Sequence, residues 1–91
     1  MAGIINPLGI KNGIGLNFND SQTISNNTIY AIGNLSNQTQ NSPVASSAAC
    51  VFLRVSSDNY YKYDLLIGID AKLMYGRYSY GSSYGDWFNL L

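Results

Sequence analysis

The stretch Tyr61-Lys62-Tyr63-Asp64-Leu65-Leu66-Ile67-Gly68-Ile69 decides the fold. Tyr61, Tyr63, Leu65, Ile67 and Ile69 alternate strictly with Lys62, Asp64, Leu66 and Gly68. Side chains alternate faces along a strand, so a period of two predicts a strand here. The apolar set is expected on the buried face and the mixed set on the open one.

Working backward, Val51, Leu53 and Val55 share one face of a second strand, with Phe52 and Arg54 on the other. Ser56-Ser57-Asp58-Asn59 between the two strands has the length and polarity of a hairpin loop. Working forward, a tight turn near Asp70 and Ala71 leads into a strand over Lys72–Tyr80. A loop of Gly81, Ser82, Ser83 and Gly85 follows, and Asp86–Leu91 forms a short terminal strand. Thr28–Ile32 is a further short strand. Gly33–Ser47, rich in Asn, Gln and Ser and containing Pro43, reads as a long loop. Pro43–Cys50 has room for one or two helical turns at most. No stretch has a helical period.

The predicted fold is all-β: a small antiparallel meander, a sandwich-like knob of about five strands over residues 16–91. Residues 1–15, with Gly3, Gly9, Gly13, Gly15 and Pro7, are expected to form an extended arm or the end of a shaft. At 91 residues the chain makes one domain. A domain of this size buries only about 60–65% of its unfolded surface. Cys50 is the single cysteine, so no intrachain disulfide supplements the core. The exposed edges of a small sheet invite pairing with other chains. Both points predict a homo-oligomer.

Composition narrows the function. Charged residues are 11% of the chain against about 25% in an ordinary globular protein, so its surface must be covered by neutral polar groups. Tyr, Ser, Gly and Asn supply them. Tyrosine gives a rigid contact face with a hydroxyl, while Ser and Asn give adaptable hydrogen bonds, a set suited to binding. The net charge is zero and the five basic residues are scattered, which sets nucleic acid aside as a partner. No apolar run reaches the roughly 18 residues of a spanning helix, so membrane insertion is not expected. Met1–Gly15 lacks the positive start of a signal peptide.

Catalytic devices are sparse. The chain has no histidine and no glutamate, which removes a Ser-His-Asp or Cys-His arrangement within one chain. Metal clusters of the zinc type have no ligand set, and no cofactor is expected. Cys50, between Ala49 and Val51, reads as a small buried hydrophobe. Acid–base chemistry would fall to Asp20, Asp58, Asp64, Asp70 and Asp86. Asp64 and Asp70 stand roughly 20 Å apart along an extended strand, too far for a glycosidase pair, and Asp58 and Asp86 sit in turns. The expectation is a protein that is not an enzyme.

The order of short motifs carries a resemblance. Leu16-Asn17 is followed by Asn27-Thr28-Ile29-Tyr30, Asn41-Ser42-Pro43 and Phe52-Leu53-Arg54-Val55. The aromatic run Tyr61–Ile67, then Met74-Tyr75-Gly76-Arg77, then Tyr84-Gly85-Asp86-Trp87 with Leu90 complete it. In this order the motifs resemble the C-terminal knob domains of phage tail fibres and R-type pyocin fibres. Two departures stand out: Tyr84 replaces the first tryptophan of the closing motif, and a glutamine common on the central aromatic strand has no counterpart. The resemblance implies a homotrimer in the virion that attaches to a host-surface receptor, often a polysaccharide, alongside other virion proteins. The alternative is a structural virion protein, a head fibre or a capsid or baseplate decoration, using the same fold for assembly.

Candidate residues follow. Tyr75, Arg77 and Trp87 are expected to be structural anchors, with Arg77 pairing with Asp86 or a backbone carbonyl, or stacking on Trp87. Tyr60, Tyr78, Tyr80 and Tyr84, at or near loops, could stack on sugar rings, while Asn59, Ser82 and Ser83 could bond sugar hydroxyls.

Overall fold

Four strands joined antiparallel in register carry the architecture of the computed structural model, whose described residues are 9–91. In chain order the elements are β1 (Lys11–Asn12), β2 (Leu16–Asn17), β3 (Thr28–Ile32), α1 (Leu35–Gln38), β4 (Thr39–Gln40), β5 (Cys50–Ser56), β6 (Tyr61–Gly68), β7 (Met74–Tyr80), β8 (Ser83–Tyr84) and β9 (Phe88–Asn89). The main sheet runs β1-β3-β5-β6-β7-β8, with β9 also paired to β7, and β2 and β4 make a small second sheet.

The protein is all-β, and each strand expected from the sequence has a counterpart. The meander is not wholly antiparallel, because β1 runs parallel to β3 and β2 parallel to β4. These extra strands are two residues long. A two-residue strand contains no alternation to detect, so pattern reading passes over it. Residues 1–8 of the expected arm lie outside the described residues, and Lys11–Asn12 joins the sheet beside β3.

The long polar loop contains a helical turn instead of running unstructured. Asn34 caps α1 by accepting from the Asn37 amide at 3.1 Å. The Gln38 side chain reaches back to accept from the Gly33 and Asn34 amides. These are the reciprocal bonds that hold a helix start. Leu35, fully buried, ties the turn to the core.

The period of β6 is as expected, but its phase is inverted. Lys62, Asp64 and Leu66 are buried, while Tyr61 and Ile69 are exposed and Tyr63, Leu65 and Ile67 half-buried. A shift of one residue exchanges the two faces of a strand, and here charge pairing selects the face. Arg54, Asp64 and Arg77 stand side by side across β5, β6 and β7. Arg54 Nε and Nη2 donate to the two Asp64 oxygens at 2.7 and 2.9 Å, and Arg77 Nε donates to Asp64 Oδ2 at 2.9 Å. The Phe18 carbonyl accepts from both guanidiniums, and Asn19 Oδ1 accepts from Arg77 Nη1 at 2.7 Å. With its charges paired in this way, the inner face can be closed over.

The closing layer comes from residues 16–24, α1 and the segment before β5. Leu16, Phe18, Ile24, Leu35 and Ala48 pack on Tyr30, Ile32, Cys50, Phe52 and Leu66. Phe18 holds the centre, 4.7 Å from the Phe52 ring and edge-on to Trp87 at 5.8 Å. Cys50 is buried as expected, and burial together with Asp70 pushes its thiol up.

The opposite face of the main sheet is covered by no layer of the described residues. Positions 29, 31, 51, 53, 55, 61, 63, 65, 67, 74, 76, 78, 80 and 88 point there by register, and none is charged. Gly76 is buried on this face because the Tyr63 phenol and the Leu90 side chain fold over it, in space a Cβ would need.

Removing Asp64 leaves two guanidiniums buried without their counter-ion. Deleting one partner of a buried ion pair costs about 3–5 kcal/mol, a large share of the about 5–15 kcal/mol available to a domain. Asp64→Ala is therefore expected to lower the urea midpoint steeply at neutral pH. A loss under about 1 kcal/mol, the level of a surface pair, would show that the ladder does not hold the sheet.

Candidate functional site

Three turns meet at the end of the sheet where β5 passes into β6. The Ser56–Tyr60 turn connects these strands, Gly81–Ser82 connects β7 to β8, and residues 21–27 lead into β3. They enclose an open cleft of about 710 Å3 lined by Ser21, Ile24, Ser25, Asn26, Asn27, Asn59, Lys62, Gly81 and Ser82.

Each turn is fixed by side chain–backbone bonds. Asn27 and Asn59 adopt the left-handed conformation, with φ of 56° and 69°, which asparagine tolerates better than most residues. Asn27 clamps the β5 end, donating to the Ser56 carbonyl and accepting from the Ser56 amide, both at 3.0 Å. Asn26 donates to Asn59 Oδ1 at 2.9 Å, tying two walls of the cleft together. Asp58 Oδ1 accepts from the Tyr60 and Tyr61 amides. These two backbone bonds hold the Asp58 carboxyl below its ordinary value.

Lys62 supplies the one charged side chain among the described residues that line the cleft. Its Nζ donates to the Gly81 carbonyl at 2.8 Å. Gly81 has φ of 61° and sits against the Tyr60 ring, where a Cβ would press on the aromatic edge at 3.2 Å. Around this point Tyr60 stacks on Tyr80 at 6.5 Å and meets Tyr61 edge-on at 4.9 Å. The result is a cleft of amides, hydroxyls and one ammonium beside a cluster of phenol rings.

The structure brings together some of the residues expected from sequence and separates others. Asn59 and Ser82 line the cleft, and Tyr60 and Tyr80 stand beside it. Ser83 is exposed on β8, opposite Tyr80. Tyr78 lies on the outer sheet face, 5.0 Å from the Tyr63 ring and stacked on Phe88 at 5.9 Å. Tyr84 is half-buried, with its ring 5.4 Å from the Arg54 guanidinium and 5.0 Å from that of Arg77.

Arg77 meets the Phe18 carbonyl and lies 4.4 Å over Trp87, two of the three arrangements expected for it. Its ionic partner is Asp64, not Asp86. Burial and the Arg54 charge hold the Arg77 guanidinium below its ordinary value. On Arg54 burial acts in the same sense, but the hydrogen bonds it donates to Asp64, the Asp64 charge and Tyr84 together outweigh it and raise that group. Tyr75 and Trp87 pack, partly buried, against the core.

Sequence reasoning missed Ser21, Ser25, Asn26, Asn27 and Lys62 as cleft residues. The adjacent asparagines Asn26-Asn27 before a strand were the available signal, since such pairs mark turns. Among the described residues no group of three or more His, Cys, Asp or Glu side chains could hold a metal ion. No helix among them is long and apolar enough to cross a membrane.

No family model, curated protein or solved structure matches this chain. The reading of the cleft rests on its own chemistry.

The Asp58 cap gives a pH test. A carboxyl whose folded value is depressed contributes order at neutral pH and loses it as pH falls through that value. The Tyr60 and Tyr61 amide resonances are expected to shift together in an acid titration, with a midpoint below the roughly 3.9 of free aspartate. A midpoint at or above that value would show that Asp58 does not cap the turn.

Proposed function

We propose that this chain is a fibre-knob adhesion module of a phage virion that attaches to a host-surface polysaccharide through the cleft at the β5–β6 end. The observation that carries the reading is the cleft's chemistry: neutral amides and hydroxyls, a single ammonium, and a tyrosine cluster at the side. Sugar hydroxyls need donors and acceptors spread over a shallow surface. Tyrosine faces supply the apolar contact that sugar rings accept, at low entropic cost.

The reading is of a binder, not an enzyme. Asp20, Asp58 and Asp70 each accept a bond from a backbone amide, and Asp64 is enclosed between two guanidiniums. Those engagements disfavour a free acid–base pair. The motif order Leu16-Asn17 through Trp87 supports the knob assignment, with a homotrimer as the expected assembly.

A second reading, a structural virion protein such as a head fibre or a capsid or baseplate decoration, is favoured by one feature. The uncharged outer face suits assembly and requires no ligand.

The two readings separate on an array of bacterial surface polysaccharides probed with the full chain. Wild-type protein is expected to bind a subset of them. Tyr60→Ala and Ser82→Arg, both at exposed positions, are expected to reduce binding at least about tenfold, a loss of about 1.4 kcal/mol, with unfolding midpoints unchanged. Binding that survives both substitutions would reject the cleft. Absence of binding to every polysaccharide would favour the structural reading.

A further inference from the structure

We propose that the outer face of the main sheet is a self-association surface, covered in the assembled protein by another copy of this chain. This deepens the assembly half of the proposed function and does not depend on its ligand.

The face is one continuous surface across β3, β5, β6 and β7, and every position on it is uncharged. Its centre is aliphatic, with Leu53, Leu65 and Ile67 half-buried. Its margin is aromatic and open: Tyr61 and Tyr78 are 61% and 65% exposed. An aliphatic centre bordered on one side by the hydroxyl-tipped Tyr61, Tyr63, Tyr78 and Tyr80 has the apolar core and polar edge found in protein interfaces. Monomeric proteins rarely leave a contiguous apolar patch of more than a few hundred Å2 in water.

A second copy fits this face better than an unrelated partner. The surface has no charge with which to select a different protein or to repel its own kind. Such faces are alike in chemistry, and three of them, each turned toward a common threefold axis, can close on one another as the expected homotrimer requires. Size agrees as well. Four strands about 4.8 Å apart and about seven residues long have a projected footprint of about 450 Å2. Side-chain relief adds to this, and Phe88, paired with Gly76, and Leu90, whose side chain lies at Gly76, extend it with exposed apolar groups. A stable interface uses about 800 Å2 of accessible surface from each partner, so the sheet face reaches that size only when its side-chain relief and the flanking C-terminal residues are buried with it.

Edge pairing, the route expected from the sequence, is less suitable. β7 is flanked by β8 and β9, and β3 by β1, each two residues long. Very short outer strands blunt a sheet edge. Among the described residues the broad uncovered surface is the face.

Sedimentation of the full chain over about 1–100 µM, a range that resolves micromolar association, tests the proposal. Wild-type protein is expected to sediment as an oligomer. Val55→Lys and Tyr78→Lys place an ammonium on half-exposed or exposed positions of the face and are expected to weaken association at least about a hundredfold, since a charge buried without a partner is strongly penalised. Far-UV circular dichroism should stay native for at least one of the two. Ser82→Arg, in the cleft, should leave association unchanged. A wild-type monomer at about 100 µM, or an oligomer that tolerates both folded lysine variants, overturns the proposal. Loss of polysaccharide binding with association intact would reject the ligand reading alone.

Discussion

The Arg54–Asp64–Arg77 ladder is the constraint on which the rest of the structure depends. One carboxylate serves two guanidiniums on neighbouring strands, the Phe18 carbonyl accepts from both, and Asn19 Oδ1 accepts from Arg77 Nη1. Arg54 Nη1 is buried with no hydrogen-bond partner among the described residues. A buried ion pair is weak evidence for net stability, because desolvation offsets much of its attraction. Its effect here is geometric. Asp64 can be buried only where Arg54 and Arg77 stand opposite it, so the ladder fixes the register of β5, β6 and β7. It also fixes which face is inside. Because the Phe18 carbonyl belongs to the layer that closes the core, the same contacts set where residues 16–20 cross the sheet.

From this follows the distribution of apolar residues. With Lys62, Asp64, Arg54 and Arg77 inside, the alternating set Tyr63, Leu65 and Ile67 has to point outward. A chain selected only as a monomer would gain by placing that set in its core. Keeping aliphatic and aromatic side chains half-buried on an outer face makes sense where another surface removes them from water. The inner charges and the outer apolar face are two consequences of one choice of phase.

That choice also explains what could be read from the residues. The period of two in Tyr61–Ile69, the hairpin at Ser56–Asn59 and the strand at Met74–Tyr80 were legible because side chains alternate and turn residues cluster. The phase was not legible, because hydropathy assigns Leu65 and Ile67 to the inside unless Arg54, Asp64 and Arg77 are known to be neighbours. That adjacency depends on hairpin register over residues 54–77, which periodicity does not contain. The helical turn at Leu35–Gln38 was hidden for a different reason: it is shorter than one full amphipathic repeat, and its signal lies in Asn34 and Gln38, which also suit loops. Asn59 and Ser82 could be nominated by residue type, whereas Lys62 reaches the cleft only because the inverted phase turns it inward to the Gly81 carbonyl.

The cleft and the outer face occupy different parts of the same sheet, and the tyrosines connect them. Tyr60 and Tyr80 stand beside the cleft, Tyr61 packs against both, and Tyr63 and Tyr78 continue the aromatic surface onto the outer face as far as Phe88. If copies pack through that face, Tyr61 and Tyr80 lie at the border between the joint and the cleft. Assembly would then limit the motion of the Tyr60 side of the cleft without filling the cleft itself. An oligomer built this way repeats its loop ends in a fixed arrangement. Weak sites on a shallow polar surface gain most from such repetition, because each bound site raises the effective concentration of the next. On the proposed assembly, a small domain with a modest cleft and a large uncharged face would function in multiples rather than as a single binder.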